Sequence, residues 1–230
     1  MIRLEKYLVQ CGVGSRKVIK ALVNEGHVKI NDETIYNYGL MVYPDKDKIT
    51  FRDKPLKYKE LKYYVMYKKA GYITAMKSEL NKPVIAELLP EYIDKNSIFP
   101  VGRLDRDTEG LIIFTNDGEF NRLLTRPEDK IEKTYYAELI KDISTTDILN
   151  LEKGVTFKDE IDYCPGKVQF INSRAILLTI TEGKYHQVKR MLRCVNNKVI
   201  YLKRVKFGKL SLDNMIPGEI KEIQKEDIID

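Results

Sequence analysis

The sequence predicts an α+β protein made of a small α/β domain, residues 1–58, and a larger domain, residues 63–230. Three observations support this prediction. The stretch 53–62 is charged and contains a proline, which is typical of a linker. The chain has 230 residues, of which 43% are hydrophobic, so it can bury a real core. Beyond the linker, strand and helix patterns lack the even βαβ spacing of a doubly wound sheet, which favours a mixed, largely antiparallel sheet flanked by helices.

The small domain is predicted to begin with two helices. Leu4 and Leu8 are four residues apart, as on one face of a helix, and the glycines within residues 12–14 end that helix. Ser15 is a good N-cap for a second helix, because its hydroxyl can accept a hydrogen bond from a backbone N–H of the first turn. The residues of this second helix expected to point inward are Val18, Ile19, Leu22 and Val23.

Short strands complete the small domain in this prediction. Residues 27–30 alternate in polarity as a strand does, and Asn31-Asp32 is a turn signal. Residues 39–42 and 49–51 have the composition of two further strands. The domain should therefore combine two helices with a small sheet.

Positive side chains gather on the outward face of the second helix and on the neighbouring strand. They are Arg16, Lys17, Lys20 and Lys29. A cation cluster at a helix start beside a strand is a common arrangement for contacting phosphates. A solvated helix face without any partner is equally expected from the charges alone.

The larger domain is predicted to contain several strands and three helices. Strands are expected at residues 63–67, 111–115, 175–181 and 199–205. Helices are expected at residues 83–89, after the capping box 144–147, and at residues 187–195. Residues 116–118, Asn-Asp-Gly, are expected to form a turn.

Composition and motifs exclude several classes of function. The formal net charge is +6 and the pI is near 8.9, which permits a polyanionic partner without requiring one. The chain has no GxxxxGKS or GxxxxGKT loop, no GxGxxG after a strand and no GxSxG motif. ATP binding, NAD binding and serine hydrolase chemistry are therefore not indicated.

The cysteines and histidines argue against a metal site. Cys11, Cys164 and Cys194 are far apart and form no CxxC pair, so free buried thiols in a reducing cytosol are expected. His27 and His186 are too few for a histidine-based site. The N-terminus does not look like a signal peptide, and no segment approaches the ~20 apolar residues of a membrane span, so a cytoplasmic protein is expected.

The most informative stretch is 102–118, a polar loop bounded by glycines that runs directly into an apolar strand. Asp105 lies between Arg103 and Arg106, and neighbouring cations favour an ionised carboxylate. An ionised, partly desolvated aspartate on a loop is suited to nucleophilic or base chemistry. The alternative is that Asp105 and Asp107 only cap turns.

Two further stretches could supply partners for this carboxylate. In residues 181–192 a glycine closes a strand and a basic helix begins, so Lys189 or Arg190 could reach a catalytic aspartate. A charged surface helix is the alternative. In residues 132–139 the alternation allows Tyr135 to point into a cleft and stack on a base. The alternative is a core tyrosine whose hydroxyl is hydrogen-bonded.

Together these stretches resemble a known family. GRLDRDTEGL, residues 102–111, resembles the GRLDxxTxGL signature of pseudouridine synthases, and of the RsuA-type ribosomal RNA family in particular. EGKYHQVKRM, residues 182–191, resembles that family's third motif, and EKTY, residues 132–135, its tyrosine motif. Residues 65–74 resemble its opening lysine-rich strand and turn. Residues 3–32 are similar to the RNA-binding module named after ribosomal protein S-four.

The resemblance implies that the protein isomerises a uridine to pseudouridine without a cofactor, since the reaction involves neither redox change nor net hydrolysis. Asp105 would be the catalytic carboxylate, acting as a nucleophile or by abstracting a proton. Lys189 would pair with Asp105, and Tyr135 would stack on the uracil. Arg103 would contact the phosphate backbone or help to flip the base out of its stack. Ala70 is a departure, since the family usually has a proline there.

The resemblance also implies an RNA partner. Small-subunit (16S) ribosomal RNA within a small-subunit particle is the favoured substrate. Large-subunit (23S) ribosomal RNA, or a non-catalytic role in binding RNA, are the alternatives. The protein would act as a monomer, with no metal ion and no membrane. The side chains that would contact RNA are Arg3, Arg16, Lys17, Lys20 and Lys29.

Overall fold

The structure is a computed structural model that describes residues 1–58, 60–78, 81–158 and 160–229. The chain divides into two units, Met1–Leu61 and Lys62–Asp230. Each unit contains both helices and strands around its own hydrophobic core, in agreement with the predicted α+β class.

The N-terminal unit combines two helices, α1 (Leu4–Gln10) and α2 (Arg16–Asn24), with short strands. The strands are β1 (Ile2–Arg3), β2 (Val28–Ile30), β3 (Glu33–Ile35), β4 (Met41–Val42), β5 (Ile49–Phe51) and β6 (Lys54–Pro55). They form an antiparallel sheet in the order β3-β2-β5-β6 and a separate β1-β4 pair. Ser15 caps α2 as predicted, since its hydroxyl accepts from the Val18 N–H at 3.5 Å.

Two predictions for this unit are wrong. Val18, expected to face inward, is 47% exposed, because the buried stripe of α2 consists of Ile19 and Val23, four residues apart. Residues 53–62 are not a linker throughout, because β6 within that stretch pairs with β5 and extends the sheet. A charged strand at a sheet edge has the composition of a linker, which explains the second error.

The larger unit is organised around a nine-stranded sheet, as far as the described residues show. Its strands and an accessory hairpin are β7 (Tyr63–Lys68), β8 (Phe99–Val101), β9 (Glu109–Thr115), β10 (Lys133–Leu139), β11 (Val155–Phe157), β12 (Ile161–Tyr163), β13 (Lys167–Asn172), β14 (Ala175–Ile180), β15 (Val199–Phe207), β16 (Leu210–Ser211) and β17 (Ile220–Ile223). The main order is β13-β14-β10-β15-β9-β7-β17, with β8 on β9 and β16 on β15. Of these pairs only β15 with β9 is parallel, so the predicted mixed, largely antiparallel sheet is confirmed.

The helices of this unit lie between strands of the sheet in the chain. They are α3 (Gly118–Thr125), α4 (Thr145–Lys153) and α5 (Gln187–Cys194), with short 3₁₀ turns at Ile85–Leu88, Pro127–Asp129 and Lys225–Asp227. Ser144 and Asp147 form the predicted capping box of α4. The predicted turn at residues 116–118 is instead a helix start, because Asp117 accepts hydrogen bonds from the N–H groups of Glu119 and Phe120. The helix expected at 83–89 is only a 3₁₀ turn.

Apolar side chains cover both faces of the central strands, which explains why β7 is buried at every position. One cluster includes Met66, Ile112, Ala137, Leu178 and Leu192. Another includes Tyr63, Ile113, Phe120 and Phe207. These two layers give the loops before β9 and before α5 a rigid base.

Among the described residues, no helix combines the length and apolar character needed to cross a membrane. The three cysteines form no disulfide, as predicted, but they are not buried. Cys164 is exposed and Cys11 and Cys194 are partly accessible, because each lies at the end of a helix or strand or next to it.

Candidate active site

Asp105 lies on the loop between β8 and β9, with its side chain 25% exposed. Hydrogen bonds tie this loop to the turn that follows β7. The Thr74 hydroxyl donates to the Leu104 carbonyl at 2.7 Å and accepts from the Leu104 N–H at 3.1 Å. The Gly71 N–H donates to the Arg106 carbonyl at 2.7 Å. The residues on both sides of Asp105 are therefore held in place.

Lys68 also supports the loop that carries Asp105. Its side chain is fully buried, and its ammonium donates to the carbonyls of Lys69, Asp105, Arg106 and Thr108 at 2.8–3.3 Å. Burial lowers its pKa to about 8, although nearby carboxylates act in the opposite direction. The sequence motif places Lys68 in a lysine-rich strand, and this role of its side chain was not predicted. A lysine at the end of an otherwise apolar strand was the available signal.

Gly110 lies where β9, the strand that follows Asp105, pairs with β15. The parallel contact between β9 and β15 consists of the pairs Lys203↔Glu109 and Arg204↔Gly110. A Cβ on Gly110 would lie 2.2 Å from the Arg204 carbonyl oxygen, and its φ is +103°, so only glycine fits. The second glycine of the GRLDRDTEGL motif, Gly110, thus allows β15 to approach the strand that follows the Asp105 loop.

The structure brings Lys189 to Asp105. The Lys189 Nζ, on α5, lies 3.0 Å from Asp105 Oδ2 and 2.6 Å from Asp107 Oδ1. Burial acts to lower the pKa of Lys189, but the hydrogen bonds and charges of Asp107 and Asp105 outweigh it and hold the pKa above its ordinary value. Lys189 is therefore a charged ammonium that orients the Asp105 carboxylate. His186, which sequence analysis considered only as a metal ligand, has its Nε2 3.4 Å from Asp105 Oδ1.

The loop before α5 is fixed by the carboxylate of Glu182. It accepts from the Cys164 N–H at 3.1 Å and from Gln187 Nε2 at 3.0 Å, and it pairs with Lys184 Nζ at 2.8 Å. The Lys184 N–H donates to Gln187 Oε1 at 3.0 Å. His186 ends this loop with a φ of +51°, which is uncommon for a residue with a Cβ. The loop is thus closed by side-chain hydrogen bonds.

Asp105 faces a cleft that is open to solvent. The residues that line it are Arg103, Leu104, Asp105, Thr108, Tyr135, Ile180, Gly183, Lys184, His186, Gln187, Val188, Lys189 and Leu202. The four residues predicted to form the site, Arg103, Asp105, Tyr135 and Lys189, are all among them. Arg103 is exposed, and no ion pair of its guanidinium occurs within the described part of the chain.

Tyr135 lines this cleft, and Arg204 contacts Tyr135 behind it. Tyr135 is 8% exposed, and its hydroxyl accepts from Arg204 Nη1 at 3.4 Å. Arg204 Nε donates to the Leu111 carbonyl at 2.7 Å, while its Nη2 is buried without a hydrogen-bond partner among the described residues. Because β15 lies between β10 and β9, Arg204 connects the strand of Tyr135 to the strand after Asp105. Arg204 was not predicted as a site residue, although its alternation with Leu202 places it on the inward face of β15.

The cations proposed to contact RNA lie in the N-terminal unit. Arg3, Arg16, Lys17 and Lys20 are exposed, and Lys20 lies 5.2 Å from the centroid of the Tyr38 ring. Lys29 differs, because its ammonium pairs with Asp53 at 2.6 Å. Part of its charge is therefore already neutralised.

The arrangement can act on a planar ligand. A partly exposed carboxylate, oriented by an ammonium, faces a cleft that also contains an aromatic ring, and this combination permits attack on a ring or sugar or removal of a proton. No group of three or more histidine, cysteine, aspartate or glutamate side chains that could hold a metal ion occurs in the described ranges.

Comparison with known families gives two matches. The family described as RNA pseudouridylate synthase matches residues 62–193, more than half of the chain. The S4 domain matches residues 2–45. The two matches fall in different units of the structure.

Individual relatives match along nearly the whole chain. An uncharacterized RNA pseudouridine synthase of Bacillus subtilis (strain 168), YtzG, is 39% identical over 99% of this chain and 97% of its own length. Ribosomal large subunit pseudouridine synthase B of that organism is 33% identical, over 99% and 94%. Ribosomal small subunit pseudouridine synthase A of Vibrio vulnificus (strain CMCP6) is 30% identical, over 99% and 98%. A crystal structure of a pseudouridylate synthase is similar with a TM-score of 0.70 at 28% identity, over 99% of this chain and 98% of that one.

Proposed function

This chain belongs to the RNA pseudouridylate synthase family, and on that basis we propose that it converts one uridine of small-subunit ribosomal RNA to pseudouridine. It is a pseudouridine synthase of the RsuA type with an N-terminal S4 domain. The proposal concerns the RNA that it modifies and the residues that perform the reaction.

The contact between Asp105 and Lys189 inside the cleft carries the assignment of the site. The two side chains come from a loop and a helix that are 84 positions apart in the sequence (189 minus 105), and they meet at 3.0 Å beside Tyr135. Asp105 combines partial access to the cleft with a fixed orientation, as a catalytic carboxylate requires. We therefore assign the catalytic role to Asp105.

The reaction exchanges one bond for another. The bond between ribose C1′ and uracil N1 breaks, the uracil turns over, and C1′ bonds to uracil C5. C5 loses a proton and N1 gains one, so atoms and electrons balance without an oxidant or a reductant. We infer that no cofactor takes part. Asp105 starts the sequence either by attacking the ribose or the ring as a nucleophile or by abstracting a proton.

The other cleft residues prepare the substrate. A uridine stacked in RNA is out of reach of Asp105, so it must leave its stack and enter the cleft. Tyr135 then stacks on the uracil, and Lys189 keeps the Asp105 carboxylate oriented. Arg103, exposed at the cleft, contacts the phosphate backbone or takes part in unstacking the base.

The S4 domain contributes affinity. Exposed cations release counterions when they contact phosphates, which favours binding but reads no sequence. The residues in this role are Arg3, Arg16, Lys17 and Lys20, with Lys29 as a weaker contributor because of its pair with Asp53. The protein acts as a monomer. It works in the cytoplasm on RNA within a small-subunit particle, since that is where ribosomal RNA is assembled.

Large-subunit ribosomal RNA is a second candidate substrate. The relative named for the large subunit is 33% identical and the one named for the small subunit is 30% identical, so identity alone does not favour the small subunit. The small-subunit choice follows from the resemblance of the GRLDRDTEGL and EGKYHQVKRM motifs to the RsuA type. Mapping of the modified position separates the two.

The test is pseudouridine mapping on ribosomal and transfer RNA from cells that lack the gene, complemented with the wild type or with Asp105→Asn. We expect one small-subunit uridine to lose its modification and only the wild type to restore it. Loss at a large-subunit uridine would replace the substrate but keep the enzyme. No change at any position, or restoration by Asp105→Asn, would contradict the proposal.

A further inference from the structure

An aromatic side chain stands exposed at the rim of the cleft. Tyr185 is 67% exposed, and its ring stacks on the imidazole of His186 with the ring centroids 3.8 Å apart and the planes 18° apart. The guanidinium carbon of Arg190 lies 4.8 Å from the centroid of the Tyr185 ring. We call Tyr185, His186 and Arg190 the rim stack.

The rim stack is held in a fixed position. The loop that carries Tyr185 is closed beneath it by the hydrogen bonds of Glu182 and Gln187. The Arg190 guanidinium carbon also lies 5.3 Å from the centroid of the Phe157 ring, which supports it. His186 adopts a left-handed backbone conformation. A residue with a Cβ in this conformation carries strain, which is commonly retained at functional sites. Tyr185 is therefore presented to solvent by a rigid base.

Packing within the protein does not account for this tyrosine. Core aromatics of the same unit, such as Phe120 and Phe207, are almost completely buried, whereas Tyr185 is largely exposed. Cations lie close to Tyr185, since the Arg190 guanidinium carbon is 4.8 Å from the centroid of its ring and Lys184 precedes it in the chain. Aromatic faces combined with cations are the usual means of binding unpaired nucleotides.

The rim stack is also next to the reacting carboxylate. His186 lines the cleft, and its Nε2 is 3.4 Å from Asp105 Oδ1. The Tyr185 ring stacks on His186, so Tyr185 lies directly beside a residue that lines the cleft. A uridine that enters the cleft brings its neighbours in the RNA chain to this rim.

We propose that the rim stack is a nucleobase-binding site, on which a base adjacent to the target uridine stacks while the uridine occupies the cleft. This inference rests on the proposed function, because it requires an RNA substrate in the cleft. The Tyr185 ring supplies the stacking surface, and Arg190 supplies a guanidinium for the base or its phosphate. Stacking tolerates any base, so the site adds affinity and position more than sequence discrimination.

The experiment measures turnover of tritiated RNA. Ribosomal RNA labelled with [5-³H]uridine is purified from cells that lack the gene, both free and within small-subunit particles, and tritium release from C5 is followed against RNA concentration. Tyr185→Ala should raise KM for this RNA about 5-fold to 100-fold, the range expected for losing one stacked base, and leave kcat within about twofold. Tyr185→Phe should recover most of the affinity, because the ring and not the hydroxyl provides the stacking face.

Tyr92→Ala is the matched control, since Tyr92 is a 78% exposed tyrosine of the same unit that does not line the cleft. Its KM should equal that of the wild type. Because Tyr185 is exposed, its truncation should leave the thermal midpoint of unfolding unchanged, which circular dichroism checks. A KM for Tyr185→Ala within twofold of the wild type, or a fall in kcat without a rise in KM, would overturn the proposal.

A second measurement does not depend on turnover. With 4-azidophenylalanine at position 185, irradiation should crosslink the protein to the RNA, and the same label at position 92 should not. Equal crosslinking at both positions would overturn the assignment of the rim stack. If the wild type released no tritium from any ribosomal RNA, the proposed function would fail, whereas an active wild type with an indifferent Tyr185→Ala would remove only this inference.

Discussion

Cations occupy two contrasting environments in the two units of this protein. On α2 of the N-terminal unit, Arg16, Lys17 and Lys20 are exposed to solvent. In the larger unit, Lys68 and Arg204 are buried and donate to backbone carbonyls near the cleft. The first group can act on RNA only through charge, while the second fixes the geometry of the residues around it.

The difference teaches what each kind of cation can contribute. An exposed ammonium is hydrated and mobile, and its attraction for phosphate weakens as salt is added. A buried ammonium must find acceptors inside the protein, because an unpaired buried charge is costly. The exposed cations should therefore affect affinity and its salt dependence, and the buried ones should affect stability and turnover.

Among the exposed and buried cations, Lys68 is the one whose replacement should change stability and turnover most. Lys68→Met leaves the carbonyls around Asp105 without their donor, so the free energy of unfolding should fall by about 2–4 kcal/mol. A shift of the loop by even ~1 Å should lower kcat/KM about 100-fold. Denaturant titration and tritium release measure the two effects.

Lys69→Met provides the control for Lys68. Lys69 is the next residue in the chain and is exposed, so its replacement should change the free energy of unfolding by less than about 0.5 kcal/mol. Equal effects at the two positions would show that burial of the lysine has no special role in supporting the loop.

The two kinds of cation also mark what a sequence can and cannot disclose. The exposed cations of α2 were predicted, because helix periodicity separates Ile19 and Val23 from the charged face. The buried role of Lys68 was missed, because three of its four acceptors belong to residues 37 to 40 positions later in the chain. A lysine at the end of an apolar strand indicates a buried cation, but no local pattern identifies acceptors that lie so far along the chain.

The candidate site was predicted to the extent that motifs carry it. Asp105, Lys189, Tyr135 and Arg103 were named from the motifs and meet in one cleft. The rim position of Tyr185 was not, because exposure depends on the loop geometry set by Glu182 and not on residue type. The turn after Ala70 also could not be predicted from the motifs. The Gly71 N–H donates to the Arg106 carbonyl although the proline that the family usually has before this glycine is absent.

Removing the exposed cations should have a moderate effect confined to binding. In Arg16→Ala/Lys17→Ala/Lys20→Ala, the slope of log affinity against log salt should become shallower by roughly 2–3, about 0.9 for each phosphate that is no longer neutralised. Turnover at saturating RNA should stay within about twofold. Filter binding over a series of salt concentrations measures the slope.

Lys29→Ala sharpens the same comparison within the N-terminal unit. Its ammonium already pairs with Asp53 at 2.6 Å, so its removal should change the salt slope less than the removal of any one α2 cation. A larger change for Lys29 than for Lys20 would contradict the assignment of the α2 face to phosphate contact.

An effect confined to alkaline conditions is a pH dependence of stability. Burial, and then the charge of Arg204, lowers the pKa of Lys133 to about 8. The folded chain therefore releases this proton near pH 8, while the unfolded chain keeps it up to about pH 10.4. Because the unfolded state binds more protons in this window, the free energy of unfolding should rise with pH, by at most about 1.4 kcal/mol per pH unit.

Lys133→Met isolates this contribution. The difference in free energy of unfolding between the wild type and Lys133→Met should be constant below pH 8 and shift in favour of the wild type between about pH 8 and pH 10. Denaturant titrations at several pH values measure it. A difference that stays flat across this window would show that Lys133 is not perturbed by its burial.

The most direct test of the central claim compares two aspartates that share one lysine. Lys189 pairs with both Asp105 and Asp107, but only Asp105 lines the cleft, and the Asp107 side chain is 75% exposed. In tritium release from ribosomal RNA, Asp105→Asn should lower kcat by about 10³-fold or more, and Asp107→Asn by less than about tenfold. Similar losses for the two variants, or an active Asp105→Asn, would contradict the assignment of Asp105 as the catalytic carboxylate.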